Sequence, residues 1–440
     1  MTTYDVIVVG GGPAGLMACV GALRQNARVL LVEKGDRLGR KLIISGGGRC
    51  NVTNAGEIDD IVKMIPGNGR FMYTAFHQFG NKDIIRLFEG LGVALKEEDH
   101  GRMFPVTDKA TTVAETLIRH LRDRGVEIML NTGVAGLLLE SGEVCGIRLH
   151  GGGERRAPSV VVAVGGMSVP KTGSTGDGYA WARQAGHTIT PLFATEVPIT
   201  LDAPWVQDKS LQGLSLREVP LTLTNAKGKK LTTQLGDMIF THFGVSGPAA
   251  LRLGHYVSVG LARGEAPLTL AIDFRPDVPD AFADILAMFE ANPKKTAFNV
   301  LKGYVPERAL SLLLGLAGIL PEVTYAHLPK AKLQAFAQLI KKFGAPVTGT
   351  LSIEEAFVTG GGVNLKEIDP KTMASKVAPG LYFAGEILDV HAHTGGYNIT
   401  IAFSSGHVAG SWAAKRAKAL AAEALAVEQG AGGHDQGEGQ

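Results

Sequence analysis

The chain has 440 residues, with 44 Lys or Arg against 42 Asp or Glu, a formal charge of +2. That length carries two or three domains with sizeable cores, and the near balance of charge, without a basic run, argues against a nucleic-acid partner. No window approaches the ~20 apolar residues of a membrane helix, "MTTYDVIVVGGG" lacks the basic and apolar regions of a signal peptide, and Cys19, Cys50 and Cys145 are too scattered for a disulfide framework or a zinc site. The expectation is a cytoplasmic protein with a small-molecule substrate and no metal, membrane or nucleic acid, for which a homodimer is allowed.

The first element is a continuous apolar run, Val6 to Val9, of the kind buried on both faces in a parallel sheet. Gly10, Gly12 and Gly15 follow as G-x-G-x-x-G, with Pro13 and Ala14 inside the turn. Gly10 permits the turn, Gly12 lets backbone approach a pyrophosphate, and Gly15 lets the following helix pack on the strand. The helix N-terminus then offers N–H groups to the phosphates. A second strand, Val29 to Val32, ends in Glu33 and Lys34, where a carboxylate accepts hydrogen bonds from a ribose diol.

The next stretch, "GRKLIISGGGRCNVTN", concentrates glycine and polar side chains. Ser45 to Gly48 present backbone with almost no Cβ, Arg40 and Lys41 balance phosphate charge, and the Asn51 amide donates and accepts as ring polar atoms require. The loop suits a ligand with phosphates and a flat ring. Cys50 has no second cysteine near it in sequence and reads as packing rather than as a redox pair.

Short strands with turns at Ser141-Gly142 and Gly151 to Gly153 occupy about 126–165. From about Pro191 the pattern alternates in β fashion, and from Asp280 to Phe343 it becomes helical in pieces broken by Pro293, Pro306 and Pro321. "GLYFAGEILDV" then reads as a strand ending in Gly385, Glu386 and Asp389. "GGYNITIAF" starts a buried helix near Asn398, so that Gly396, Tyr397, Asn398 and Ile399 lie at its N-terminus. The expected organisation is a first nucleotide-domain segment at 1–190, a β-rich insertion at 191–277, its helical part at 278–348, a second nucleotide-domain segment at 349–418 and a disordered tail at 419–440.

Where an NAD enzyme continues with further βα units, this chain enters the Gly-rich loop. That arrangement resembles FAD oxidoreductases of the glutathione-reductase-like superfamily. The match is closer to a bacterial family of NAD(P)/FAD-dependent oxidoreductases that includes aminoacetone oxidase and a bile-acid ring reductase. It is carried by "GRKLIISGGGRCNVTN", "GRMFPVTDKATTV", "VGGMSVPKTGSTGDGYAWARQAGH", "THFGVSGPAAL", "GGVNLKEIDPKTMASKVAPGLYFAGEILDV" and "TGGYNITIAFSSGHVAG", in order over roughly 1–412. The resemblance implies an α/β fold: a Rossmann-like FAD domain with a parallel sheet and a small β-meander, an inserted β-rich domain and a small helical domain. It also implies a Val134 backbone contact to adenine, a strand-end cover at Ala163 and Gly165 with Val164 where the usual motif has Thr, and acidic contacts from Glu386 and Asp389 to the ribityl or pyrophosphate region.

FAD is therefore the expected cofactor, with NAD(P)H as a transient co-substrate, since no second dinucleotide unit is visible. His393, in the turn before the flavin-facing helix, is the first candidate proton donor; Arg102 in "GRMFP" and His242 in "THFG" are further catalytic candidates, and His391 shares the turn of His393. Three functions remain open: an FAD oxidoreductase moving an electron pair between flavin N5 and a small organic molecule, with NAD(P)H or O2 as co-substrate, an FAD-dependent RNA-modifying protein, and a non-catalytic flavin-binding sensor.

Overall fold

A computed structural model describes residues 4–431. Its central sheet has five strands, four of them wholly buried and one edge strand partly exposed. These are β1 (Val6–Val9), β2 (Val29–Val32), β3 (Glu127–Met129), β4 (Ser159–Val162) and β5 (Leu381–Phe383). They lie in the order β5-β4-β1-β2-β3, and every pairing is parallel. Every residue of β1, β2, β4 and β5 is buried, as continuous Val- and Leu-rich runs require. Helix α1 (Pro13–Leu23) makes the crossover between β1 and β2. Strands at 134–140, 143–149 and 154–156 form the antiparallel meander.

The chain divides into two compact units, residues up to 193 with 358 onward, and 194–357. The β part of the inserted unit is a closed barrel. Its strands run in the order 199–201, 244–246, 230–240, 215–224, 268–272, 343–350. The last strand returns to the barrel after the helices, so the β and helical parts share one core, in which Leu221, Phe240 and Leu270 are buried with Phe289, Leu313 and Phe336. A helix the alternation concealed, Pro248–Ala262, sits inside the expected β stretch.

In the first unit, the last helix α2 (Tyr397–Ala431) lies against α1. It also corrects the expected tail, because 419–431 continue the helix. "AKALAAEALA" is rich in Ala, Leu and Glu, whose high helix propensity carries the segment onward; the rest of the expected tail lies outside the described residues. The contact of α1 with α2 is backbone against backbone. A Cβ on Gly406 would stand 2.2 Å from the Ala14 carbonyl oxygen, one on Gly410 1.8 Å from that of Ala18, and one on Gly21 2.1 Å from that of His407.

One buried line of polar groups has the order of a hydrolase triad. His187 Nδ1 is 3.0 Å from Glu367 Oε2 and its Nε2 is 2.7 Å from Ser375 Oγ. Ser375 Oγ also accepts the N–H groups of Val377 and Ala378 at 3.0 and 2.8 Å. Both lone pairs are committed, so the hydroxyl caps a turn and the line is a latch between 187–188 and 364–378. Among the described residues, no helix is long and apolar enough to cross a membrane, and no group of three His, Cys, Asp or Glu is placed to hold a metal ion.

The helix contact has a testable sign. Gly→Ala in a helix interior ordinarily gains up to about 1 kcal/mol, whereas forcing a methyl into closed packing costs about 1–3 kcal/mol. Gly410→Ala is expected to lower stability in urea denaturation; a gain would show that the two backbones do not touch.

Candidate functional site: the Gly-rich turn, the loop at 40–54 and the start of α2

The turn after β1 uses its glycines for different purposes. Gly10 has φ 102°, and a Cβ there would stand 2.6 Å from the Ala163 carbonyl oxygen; a Cβ on Gly15 would stand 1.8 Å from that of Gly10. Both positions are closed by protein. Gly12 differs, with nothing within 4 Å of its Cβ position. It is the N-cap of α1, and no side chain caps the helix, so the N–H groups of the first turn face space fit for a phosphate. Pro13 takes the first helical position and Ala14 is buried in the first turn.

Glu33 closes the turn from the other side. Its carboxylate accepts the Gly11 N–H at 2.7 Å and the Gly35 N–H at 2.7 Å. Each oxygen retains a lone pair for a ribose hydroxyl, so the residue expected to read the ribose also fixes the loop. Lys34 turns to Asp177, 2.6 Å away. Arg40 pairs with Asp36 one helical turn earlier. Val134 is buried at the start of the meander, opposite Leu149. Ala163 donates its N–H to the Val9 carbonyl at 2.8 Å, and Gly165, at φ 75°, lies against Ser174.

Lys41 is drawn across the unit to Glu386. Its Nζ is 2.6 Å from Glu386 Oε2 and 2.9 Å from Ser168 Oγ. Glu386 Oε1 accepts from Ser168 Oγ at 2.7 Å and from the Thr359 N–H at 2.8 Å. Burial works against the charge of Glu386, but Lys41 and the three hydrogen bonds outweigh it and hold the carboxyl below the usual glutamate range. Gly385, with φ 77°, lets this turn meet Ala14, 2.7 Å from the position of its Cβ. Two residues beyond Ile387, Asp389 shows the opposite balance: burial raises its carboxyl against hydrogen bonds from Thr190 and Asn68.

The Gly-rich loop is strained in the left-handed sense at Gly46 (φ 57°), Gly47 (φ 68°), Gly48 (φ 85°) and also Cys50 (φ 61°). Ser45 donates to the Leu42 carbonyl at 2.7 Å, ending the helix 40–44. Gly47 and Gly48 have nothing within 4 Å of their Cβ positions. Cys50 is wholly buried, and burial pushes its thiol up to about 12, so it is a neutral packing group.

The start of α2 meets this loop. A Cβ on Gly396 would stand 2.7 Å from the Thr53 carbonyl oxygen and 2.8 Å from Asn51 Oδ1. Asn54 Nδ2 donates to the Gly395 carbonyl at 3.2 Å, and Tyr397 packs beneath Gly395. Asn398 turns back to hold Ala392: its Oδ1 accepts the Ala392 N–H at 2.9 Å and its Nδ2 donates to the Ala392 carbonyl at 2.7 Å. Ile399 follows, half-buried, in the first turn.

These atoms test the fit of a flavin dinucleotide. Asn51 Oδ1 is buried and has no hydrogen-bond partner among the described residues, and a buried amide oxygen without a donor is costly; a flavin ring carries an N–H that satisfies it. The Tyr179 hydroxyl is a second such atom, buried and unpartnered. Its ionisation is suppressed by burial and by Glu386 and Asp389. Sequence reading missed Tyr179 because it lies on a helix of ordinary composition; only its place beside two carboxylates marks it. The open face of Gly12, the free first turn of α1 and the Asn51 oxygen together fit FAD.

Of the catalytic candidates, His391 and His393 are buried, 3% and 4% exposed, on either side of Ala392. Arg102 lies on the strand paired to 53–54, bonded to Asp99 and over Phe104. His242 is an exposed residue of the other unit, packed on Phe243.

The sequence profile of the HI0933-like protein Rossmann domain family matches residues 4–412. The chain belongs to that family, and is an FAD-dependent oxidoreductase. It is 32% identical, over 92% of its length and 96% of the relative's, to a protein of Escherichia coli K12 named ribosomal RNA dihydrouridine synthase. It is 29% identical, over 93% and 98%, to the 3-dehydro-bile acid delta(4,6)-reductase of Clostridium scindens. Among solved structures, 3-ketosteroid delta1-dehydrogenase from Sterolibacterium denitrificans is similar at a TM-score of 0.52 and 15% identity, covering 94% of this chain and all of that one. That last likeness concerns the fold.

Two outcomes follow from the carboxylates. Glu33→Ala strands two backbone N–H groups; at about 1.5–3 kcal/mol for charge-assisted bonds, it is expected to weaken FAD at least about tenfold and to lower urea stability of the FAD-free protein as well. FAD titration and urea melts that both match wild type would move the ribose contact elsewhere. Glu386, held below its unfolded pKa, stabilises the fold above that value, and the contribution is lost as pH falls through the folded one. Lys41→Met is expected to cost on the order of 2 kcal/mol at neutral pH, a deficit that narrows toward about pH 4; a deficit constant with pH in urea melts would refute the pairing.

Proposed function

We propose that this protein is a flavin-dependent reductase of a ring carbon–carbon double bond conjugated with a carbonyl. The observation that carries the reading is a chemistry common to the names of two relatives aligned over nearly the whole chain. A 3-dehydro-bile acid with Δ4,6 unsaturation has its double bonds conjugated with the 3-oxo group. Dihydrouridine is uridine whose C5–C6 bond, conjugated with the C4 carbonyl, has been saturated. The names describe different molecules and one reaction class.

FAD, when bound, supplies the hydride through N5. The chain's share is binding, orientation and charge. The first turn of α1 and the Gly12 face receive the pyrophosphate, Glu33 the ribose, and Asn51 a ring N–H. The N-terminus of α2 brings backbone N–H groups and its dipole to the same loop, where they stabilise negative charge on the ring edge. The electron source in this reading is a reduced nicotinamide that binds transiently, because the central sheet carries a single Gly-rich turn of the dinucleotide type.

The substrate of the first reading is a small cyclic enone, in keeping with the near-neutral charge. Uridine in ribosomal RNA is the second reading, and it has its own support in the Escherichia coli relative and in a Haemophilus influenzae relative of the same name at 30% identity over 92% of this chain. The deciding experiment gives the purified FAD-loaded protein NADH or NADPH anaerobically, then either androst-4-ene-3,17-dione or unmodified ribosomal RNA. Reoxidation of the flavin, with two hydrogens gained by the acceptor, is expected with one of them. Flavin that is reduced by nicotinamide but reoxidised by neither refutes the reductase reading; reoxidation by RNA alone replaces the small molecule with uridine.

A further inference from the structure

The phosphate end of the cofactor site is held by the Gly12 turn and Glu33, whereas the ring end depends on where the loop at 45–54 places the Asn51 oxygen. We propose that Arg49 is a positioning residue for the flavin ring: its guanidinium clamps the Gly-rich loop to the hairpin 95–105 and so fixes the Asn51 oxygen two residues on. The inference rests on the reading of Asn51 as the contact to a ring N–H.

The loop needs an outside support. Its backbone is left-handed at Gly46, Gly47 and Gly48 and again at Cys50, where φ is 61°. Cys50 is not a glycine and is wholly buried, and a side chain keeps that conformation only where its surroundings over-determine it. Local bonds supply part of this: the Arg49 N–H donates to the Gly46 carbonyl at 3.3 Å and the Cys50 N–H to the Ser45 carbonyl at 3.0 Å. Past Asn51 the chain is tied to the hairpin by its backbone. The Val52 N–H donates to the Met103 carbonyl at 2.8 Å, and Thr53–Asn54 pairs with Arg102–Pro105. Before Asn51 the tie to the same hairpin is a side chain.

That side chain is Arg49. Its Nε donates to Asp108 Oδ1 at 2.9 Å and its Nη1 to Glu98 Oε2 at 3.2 Å. Its Nη2 donates to Asp108 Oδ1 at 2.6 Å and also to Glu98 Oε1. The Arg49 Cζ lies over the Phe104 ring, 4.2 Å from its centre, and an edge atom of that buried ring stands 3.2 Å from the Cβ position of Gly46. One ring of the hairpin therefore carries the guanidinium and abuts the glycine that opens the left-handed run. The planar fork on two carboxylates and the seat on a ring belong to arginine; a lysine ammonium reproduces neither.

The cluster also shows what removal of Arg49 leaves behind. Lys96 Nζ is 2.7 Å from Asp108 and 3.5 Å from Glu98. Both carboxyls are held below their usual range, Glu98 by its bond to Arg49 first and Asp108 by its bond to Lys96 first. Without Arg49 each carboxylate still has a cation beside it, so the loss is that of the clamp and not of charge balance.

The test separates the two ends of the cofactor. Apoproteins of wild type, Arg49→Met, Arg49→Lys, Asn51→Leu and the double variant Arg49→Met/Asn51→Leu are titrated with FAD and with ADP, which carries only the ribose and pyrophosphate assigned to Glu33 and the Gly12 turn. Asn51→Leu is expected to weaken FAD about three- to tenfold, the equilibrium worth of one hydrogen bond. Arg49→Met is expected to weaken FAD by a similar factor and to shift the visible absorption of the bound flavin as Asn51→Leu does, with ADP binding unchanged. Arg49→Lys is expected to recover little of the loss. The double variant is expected to bind FAD no more weakly than Asn51→Leu, since both changes act through one atom. FAD affinity and flavin absorption of Arg49→Met equal to wild type overturn the proposal, as do ADP weakened as much as FAD, full recovery by Arg49→Lys, or losses that add in the double variant. Unchanged FAD binding by Asn51→Leu refutes the reading of Asn51 itself, and the proposal with it. If Arg49→Met does not fold, Glu98→Gln, which loosens the fork from the hairpin side, decides by the same FAD and ADP comparison.

Discussion

The first unit depends on two helices meeting without side chains between them. α1 follows the first strand of the sheet and α2 ends the nucleotide-binding unit, separated by more than 350 residues of chain. They touch through Gly21, Gly406 and Gly410, at positions where no Cβ fits. Such an approach replaces side-chain burial by dispersion between backbones and fixes the spacing of the pair far more tightly than Leu against Leu would. Its consequence is positional. Gly385 lies on Ala14 in the same way, so the turn after β5 is brought to the N-terminus of α1, and the start of α2 is brought to the loop at 45–54. Every group assigned to the flavin is downstream of that contact.

The two acidic residues of the site obey a second rule. A buried carboxylate is tolerated when its lone pairs are filled. Glu33 accepts two backbone N–H groups, one on each oxygen, and Glu386 is filled by an ammonium, a hydroxyl and an N–H. Both serve the fold before any ligand arrives, which is why each holds a turn in a conformation the backbone alone would not keep. The buried atoms without a hydrogen-bond partner include two neutral ones near these turns, the Asn51 oxygen and the Tyr179 hydroxyl. Neutral groups cost less to hold in waiting than charges do.

Much of this was legible in the sequence because it is local. The strand, turn and helix around Gly10 to Gly15, the strand ending in Glu33 and the helix at 397 all follow from short-range rules of backbone geometry and apolar runs. What was not legible is what depends on distant pairing. The barrel needs the strand 343–350, which lies beyond four helices, and no periodicity announces which strands will close on one another. Lys41 read as a phosphate partner and proves bonded to Glu386; Asn398 read as a ring contact and holds Ala392. Each has a protein partner that the sequence did not disclose, since a sequence names a polar group without naming its partner. Alternation also hid the helix 248–262, whose Ala and Gly residues are indifferent to period.

Two relatives aligned over nearly the whole chain carry names that concern molecules as different as a bile acid and ribosomal RNA. The groups that grip the cofactor are backbone N–H groups, glycine faces and two hydrogen-bonded carboxylates, and changing them disturbs the fold itself. His391 and His393 are packed into the same unit, both imidazoles buried and the peptide between them held by Asn398. Binding of the flavin in this reading is thus tied to packing that the fold needs in any case.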